Sequence, residues 1–237
     1  MGVALSTLWP QETSASASGG HSLWVHRTGA PWRDVPAKFG KSDSVQSCFK
    51  RWSKSGLWAR LWERLRLLPG EDREALYLDS TAVKAHRHSA GARKALGPQA
   101  IGSSRAGRGT KIHAACDALG YPLALKLSAA NESDIAQAEG LLAGQPAERV
   151  VADRGYDSDA LRAKIAAQGA EPVIPPRKLR KEERPYDEHC CYGSRHVIEN
   201  FFCRLKDHRR VATRYEKTAA HCAAMVMISC ILMWLKF

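Results

Sequence analysis

The chain has 237 residues, a formal net charge of +12 and 44 % hydrophobic residues, enough for one substantial core and a small appendage. A pI near 9.6 points to a polyanionic partner, most simply nucleic acid, against the blander alternative of a solvated basic face. Seven cysteines with no Cys-x2-Cys pair exclude a zinc ribbon, and the odd count with no signal-peptide pattern argues for a reducing cytoplasm over a secreted disulfide scaffold.

Residues 1–21 are rich in Ser, Ala and Gly without periodicity, which predicts an irregular or disordered start. Residues 43–67 read as two short helices. Val45, Cys48, Phe49 and Trp52 recur at helical spacing, Ser55-Gly56 breaks the run, and Trp58, Leu61, Trp62 and Leu65 form a second apolar stripe. This pair is either a helix-turn-helix-like DNA-binding module or a small bundle packed on the core. Pro69-Gly70 marks a boundary. Residues 75–83 predict a core strand, apolar except for Asp79. Such a buried charge costs several kcal/mol unless it is paired or metal-bound.

Residues 84–109 combine Gly, Ser and Ala with basic residues and predict a long, mobile loop in contact with DNA. Residues 110–117 and 121–127 read as a hairpin around Leu119-Gly120. A helix over 134–142, a strand over 149–153, a helix over 158–168 ended by Gly169 and a strand over 171–174 follow. A charged linker, 177–187, leads to helices over 192–208 and 218–237. The apolar run 222–235 is too short to span a bilayer comfortably and reads as a core-buried helix. The order predicts an α/β mixed sheet, partly parallel and flanked by helices.

Positive charge is clustered. Residues 24–66 carry ten Lys/Arg against three acids, 84–111 carry seven against none, and 177–217 carry twelve against seven. Phosphate neutralisation needs such local excess. Within the last cluster, Tyr192, Arg195, Glu199 and Lys206 fall on one helical face. That face sets one carboxylate between two cations. Asp79 in Leu-Tyr-Leu-Asp and Asp153 in Val-Val-Ala-Asp-Arg-Gly-Tyr are two further acids in strand-like settings. Three separated acids on a basic chain fit a two-metal phosphodiester site. Asp117, Asp157 and Asp159 compete, but they stand at turn and helix-cap positions where Asp is routine. His189-Cys190-Cys191 and His86-x-His88 lack partners at ligand spacing.

The spacing Tyr-x2-Arg-x3-Glu-x6-Lys, with Asp153-Arg-Gly-Tyr-Asp157, resembles the bacterial insertion-sequence DDE transposases, and more closely the insertion-sequence-five family. Residues 27–34 (Arg-Thr-Gly-Ala-Pro-Trp-Arg-Asp), residues 110–114 and the closing apolar helix are similar too, so the likeness spans roughly residues 22–237. The chain departs from the family at its start, where low-complexity sequence stands in place of a further helix or two.

The resemblance implies a ribonuclease H-like catalytic domain over 71–237, preceded by a helical DNA-binding region over 22–70. It implies catalytic and metal-binding roles for Asp79, Asp153 and Glu199, with two Mg²⁺ ions and Mn²⁺ as a substitute. Arg195 and Lys206 are expected to hold phosphates and Tyr192 to stack on an unpaired base. Lys111 and Arg154 are expected strand contacts, and Lys111 and His113 share one strand face. The implied activity is cleavage at element ends and strand transfer into target DNA. It implies double-stranded DNA partners and a homodimer or larger synaptic complex, in a bacterial cytoplasm with no membrane association. Two rival readings stay open: a nuclease of the same fold that cleaves without joining, and a degenerate element product that only binds DNA.

Overall fold

A computed structural model describes residues 15–67, 74–178 and 192–235. Strand β1 (Ala75–Ala85) is its axis. β3 (Gly107–Cys116) runs antiparallel to β1, and β4 (Pro122–Ala129) antiparallel to β3. On the other side of β1, β5 (Arg149–Ala152) and then β6 (Glu171–Val173) run parallel to it. The path β4-β3-β1-β5-β6 is thus an antiparallel meander continued by two parallel strands. Short β2 (Gly102–Ser104) shares the outer edge of β3 with β4, and β7 (Thr213–Arg214) pairs with the far end of β1. With helices on both faces, this is the expected α/β mixed sheet, partly parallel and flanked by helices.

Period-two alternation along β1 divides the core. Tyr77 and Val83 face one side, with Ile112 and Ala114 of β3. Leu76 and Leu78 face the other, with Ala115 of β3. The second face is covered by α4 (Ile135–Leu142) and α5 (Asp159–Ala167), through Leu141, Leu142, Leu161 and Ile165. The first is covered by α6 (His196–Asp207), the short α7 (Arg209–Ala212) and α8 (Ala219–Trp234). Helix α8 buries residues around most of its circumference, from Cys222 to Met233, as a core helix does. None of the described helices is long and apolar enough to cross a membrane.

Helices α2 (Ser42–Lys54) and α3 (Leu57–Arg66) meet at Gly56, whose φ of 71° suits a residue without Cβ. Their stripes of Phe49, Trp52, Trp58, Leu61 and Trp62 belong to the same core as α8. The bundle alternative therefore describes their packing. Residues 22–70 also keep a small apolar cluster of their own, in which Val25, Val35 and Val45 pack with Trp24, Trp32 and Phe39.

Two sequence expectations need correction. Helix α1 (Ala15–Thr28) begins inside the segment expected to be irregular, whose residues 1–14 lie outside the described residues. Its anchor is distant in sequence: His26 Nε2 lies 2.8 Å from Ser229 Oγ and 3.1 Å from the Met225 carbonyl on α8. The segment 84–109 is also more ordered than its composition suggests. β1 continues to Ala85, and β2 and β3 occupy 102–104 and 107 onward. The buried Arg214 guanidinium donates to the Ala100 carbonyl at 3.0 Å and to Thr110 Oγ1 at 2.5 Å, pinning the segment from a hundred residues away.

Candidate active site

Strand pairing builds the site. The last partners of β1 and β5 are Leu78 and Ala152, so Asp79, midway along β1, and Asp153, just past the end of β5, follow where the pairing of these two strands stops. Beyond this point, among the described residues, β1 has no strand on that edge until Lys84 pairs with Thr213 of β7. Asp79 stands where the sheet opens. Its odd-numbered position turns it toward α6, with Tyr77 and Val83 on the same face.

The Asp79 carboxylate is 18 % exposed and accepts from Arg195 Nη2 at 3.0 Å. Its other oxygen accepts the Ser80 backbone N–H at 2.8 Å. Burial raises the Asp79 pKa, opposed by Ser80 and Arg195, and the nearby Asp153 charge pushes it further up. Asp153 caps the turn Arg154–Tyr156, accepting Gly155 N–H at 2.8 Å. A Cβ at Gly155 would come within 2.9 Å of the same carboxylate oxygen. The Gly in Asp-Arg-Gly-Tyr thus leaves Asp153 room to turn back on its own backbone.

Glu199 lies in the first turn of α6 and is 58 % exposed. Its carboxylate is 3.3 Å from Arg195 Nη2. One guanidinium nitrogen therefore spans Asp79 of β1 and Glu199 of α6, holding positive charge between two acids. Lys206, later on α6, donates to Thr81 Oγ1 at 2.5 Å. Thr81 is two residues beyond Asp79 on the same strand face, so Arg195, at the end of the turn before α6, and Glu199 and Lys206 of α6 lie along β1. Tyr192 opens the turn Tyr192–Arg195, and its side chain lies outside the described residues. Arg154 is exposed beside Asp153.

Lys111 is not part of this group. Its register turns it to the opposite face, where its ammonium donates to the Glu132 carbonyl at 2.8 Å and to Asp134 at 3.0 Å. Asp134, which sequence reasoning did not single out, is a hub there. It accepts from Ser80 Oγ at 2.7 Å and sits 3.6 Å from Nδ1 of the buried His113. His113 Nε2 meets Ser128 Oγ at 2.7 Å, while its buried Nδ1 has no hydrogen-bond partner among the described residues. Buried Tyr156 is another missed neighbour. Burial first, then Asp134, Asp79 and Asp153, raise its pKa, and its hydroxyl has no hydrogen-bond partner among the described residues. Asp134 precedes a helix and Tyr156 follows Asp153, and neither position carries a local signal of its tertiary contacts.

The competing acids serve locally. Asp117 accepts the Leu119 and Tyr121 N–H groups, and Asp157 pairs with Arg162 at 2.9 Å. Ser158, beside Asp159, caps α5. The Asp79, Asp153 and Glu199 set offers oxygen donors only, the type that hard divalent cations take. Burial of Asp79 beside Asp153 makes two like charges that a cation would relieve. Among the described residues no three His, Cys, Asp or Glu side chains already close around one point. The fit is one of donor chemistry, with Arg195 supplying the positive charge between two of the acids.

A family model described as a transposase DDE domain matches residues 70–234. A second, described as a putative transposase of IS4/5 family, matches residues 21–62. The putative transposase for insertion sequence element IS6501 of Brucella ovis is 38 % identical over 128 residues, covering 54 % of this chain and 98 % of that protein. The putative transposase for insertion sequence element IS402 of Burkholderia cepacia is 35 % identical over 150 residues, or 56 % of this chain and 66 % of the other. Among solved structures, a pre-cleavage Mos1 transpososome is similar over 93 % of this chain and 79 % of that one. Its TM-score of 0.28 and identity of 9 % are too faint to carry an argument.

Proposed function

The chain belongs to the DDE-domain transposases, and from that premise we propose that it cleaves DNA at insertion-sequence ends and joins the freed ends to target DNA. Asp79, Asp153 and Glu199 are the catalytic acids of this reading. The observation that carries it is the single Arg195 nitrogen 3.0 Å from Asp79 and 3.3 Å from Glu199, with Asp153 at the neighbouring strand end.

Use of a divalent metal is general to the family. Here the three acids would hold Mg²⁺, or Mn²⁺ in its place. A bound pair of such ions would supply an activated oxygen nucleophile and charge stabilisation for the leaving oxygen. The chain's own residues do the rest. Asp79 and Asp153 are neighbours because each is the first residue past the last pair of the parallel β1–β5 ladder. Glu199 closes the site from α6. Arg195 is poised to exchange its acids for a phosphate, which it can grip in a bidentate manner, and Lys206 adds a point charge farther along the strand. Tyr192 and Arg154 flank this track and would contact the DNA there. Lys111, held by Asp134, has a structural role in this reading.

In hydrolysis a water oxygen bonds to phosphorus as the bond to the 3′ oxygen breaks, leaving a 3′ hydroxyl. In joining, that hydroxyl attacks a target phosphate and the target's own 3′ oxygen departs. Both ends must be present together, so the active species would be a homodimer or larger complex on double-stranded DNA, in a bacterial cytoplasm. The test is a plasmid carrying the element's ends, incubated with target DNA and Mg²⁺. Wild-type chain should give cleaved ends and joined products, while Asp153→Asn should give neither and bind DNA normally. Cleavage without any joined product would reduce the chain to a nuclease, and cleavage by Asp153→Asn would remove the acid from the reaction.

A further inference from the structure

About 20 Å along β1 from Asp79, counting six residues to Ala85 at about 3.3 Å each, the strand reaches a groove that none of the expected site residues touches. Two adjoining cavities of about 520 and 440 Å³ share Trp32, Gln46, His88, Arg210 and Tyr215 in their walls. The helical region forms one wall, and the end of β1 with the turn after β7 forms the other.

The lining is aromatic and cationic. Arg210 lies over the Tyr215 ring at 4.9 Å, the Tyr215 and His86 rings are 4.8 Å apart, and His86 and His88 are 4.6 Å apart. This ladder of ring contacts, tilted between Tyr215 and His86 and edge-on between His86 and His88, ends on the exposed His88, whose outer face is left for a base. Arg210 is neutralised by Glu216 at 2.7 Å, so it serves the ladder and not an anion. Arg33, Lys50 and Lys217 are exposed on the walls, against the single further carboxylate of Asp43. Lys206 on Thr81 and the pairing of Lys84 and Ala85 with β7 connect this groove to the acids along one strand.

We propose that this groove binds an unpaired stretch of DNA strand a few nucleotides from the reacting phosphate. A base would continue the ladder at His88, and its flanking phosphates would meet Arg33, Lys50 and Lys217. Base faces stack on aromatic rings when they are unpaired, and cations beside them track the backbone. Cavities of this size suit single nucleotides. A duplex keeps its base faces inside the helix and cannot offer them to the ladder. The proposal rests on the DNA-transposase reading but needs no chemistry at the acids.

The test is fluorescence anisotropy of full-length chain with EDTA present, using labelled oligothymidine of about twelve nucleotides, an abasic strand of equal length and a matching duplex. Wild-type chain should bind oligothymidine about tenfold more tightly than the abasic strand. His88→Ala should shrink that preference severalfold with little change on the abasic strand. Arg33→Ala, Lys50→Ala and Lys217→Ala together should weaken both single strands and reduce the salt slope by about two, at about 0.7 per phosphate contact. Melting temperatures verify that these exposed substitutions leave the fold intact. An unchanged slope in the triple variant would overturn the groove as a DNA site. Equal affinity of wild-type chain for thymidine and abasic strands would overturn the stacking. Tighter duplex binding with the same dependence on the three cations would make the groove a duplex clamp, contrary to the proposal. With EDTA present the assay reads binding alone and no cleavage, so a failure of the cleavage reading stays distinguishable from a failure here.

Discussion

Two carboxylates, one residue apart along β1 in their contacts, live in opposite circumstances. Asp79 faces α6, and Asp134 reaches Ser80 on the other side of the same strand. Asp134 accepts from a hydroxyl and an ammonium on one carboxylate oxygen, with a buried imidazole 3.6 Å from it. Asp79 is buried beside another acid, and its pKa is pushed upward despite the Arg195 contact. One acid has been given partners that satisfy it, and the other has been given a rival. A satisfied acid supports structure, whereas an acid crowded by a like charge is left with an unmet demand for cations.

The largest expected effect contrasts the two sides by activity. Glu199→Gln should cut end cleavage by roughly a hundred- to a thousandfold, the scale for losing a charge aimed at the reacting phosphate. Asp134→Asn should stay within about tenfold, because it touches only the supports. Comparable losses, measured as single-turnover cleavage on the same plasmid, would erase the distinction.

Next in size is Lys206→Ala. Joining should slow by roughly 5- to 150-fold, from a charge-assisted contact of about 1–3 kcal/mol, with the melting temperature unchanged. A large drop in melting temperature with normal joining would move Lys206 to the structural side.

Stability should show smaller effects of opposite sign. Asp134→Asn should cost about 1–2 kcal/mol in denaturant unfolding, discounted because the carboxylate is 34 % exposed. Asp79→Asn should instead stabilise the metal-free protein by about 1 kcal/mol near neutral pH. The sign follows from linkage. A carboxyl whose folded pKa is raised gives stability that is full below its unfolded pKa and is lost as pH rises through its folded pKa. The gain from Asp79→Asn should therefore vanish in acid. A loss of stability at neutral pH would mean that the Arg195 pair outweighs burial.

Asp79 and Asp153 were legible because a charge interrupts an apolar run. The helical face of Arg195, Glu199 and Lys206 was legible because it is local and periodic. What stayed hidden depends on register. Lys111 and His113 share a face, but which face follows only from the pairing of Asp79 with Ala114, and a shift of one residue inverts it. The order of residues 84–109 was hidden likewise, because Arg214 and β7 supply their partners from far along the chain. Composition rich in Gly, Ser and cations signals only that local apolar partners are lacking. Helix α1 escaped for a related reason: His26 bonds to α8, some two hundred residues later.

The central claim is that Asp79, Asp153 and Glu199 form the cation-demanding centre and Asp134 does not belong to it. Titration of DNA-free protein with Mn²⁺, followed by electron paramagnetic resonance, tests it most directly. Wild-type chain and Asp134→Asn should bind the ion alike, while Asp79→Asn and Asp153→Asn should each lose most of that binding. Full binding in Asp153→Asn, or its loss in Asp134→Asn, would contradict the claim.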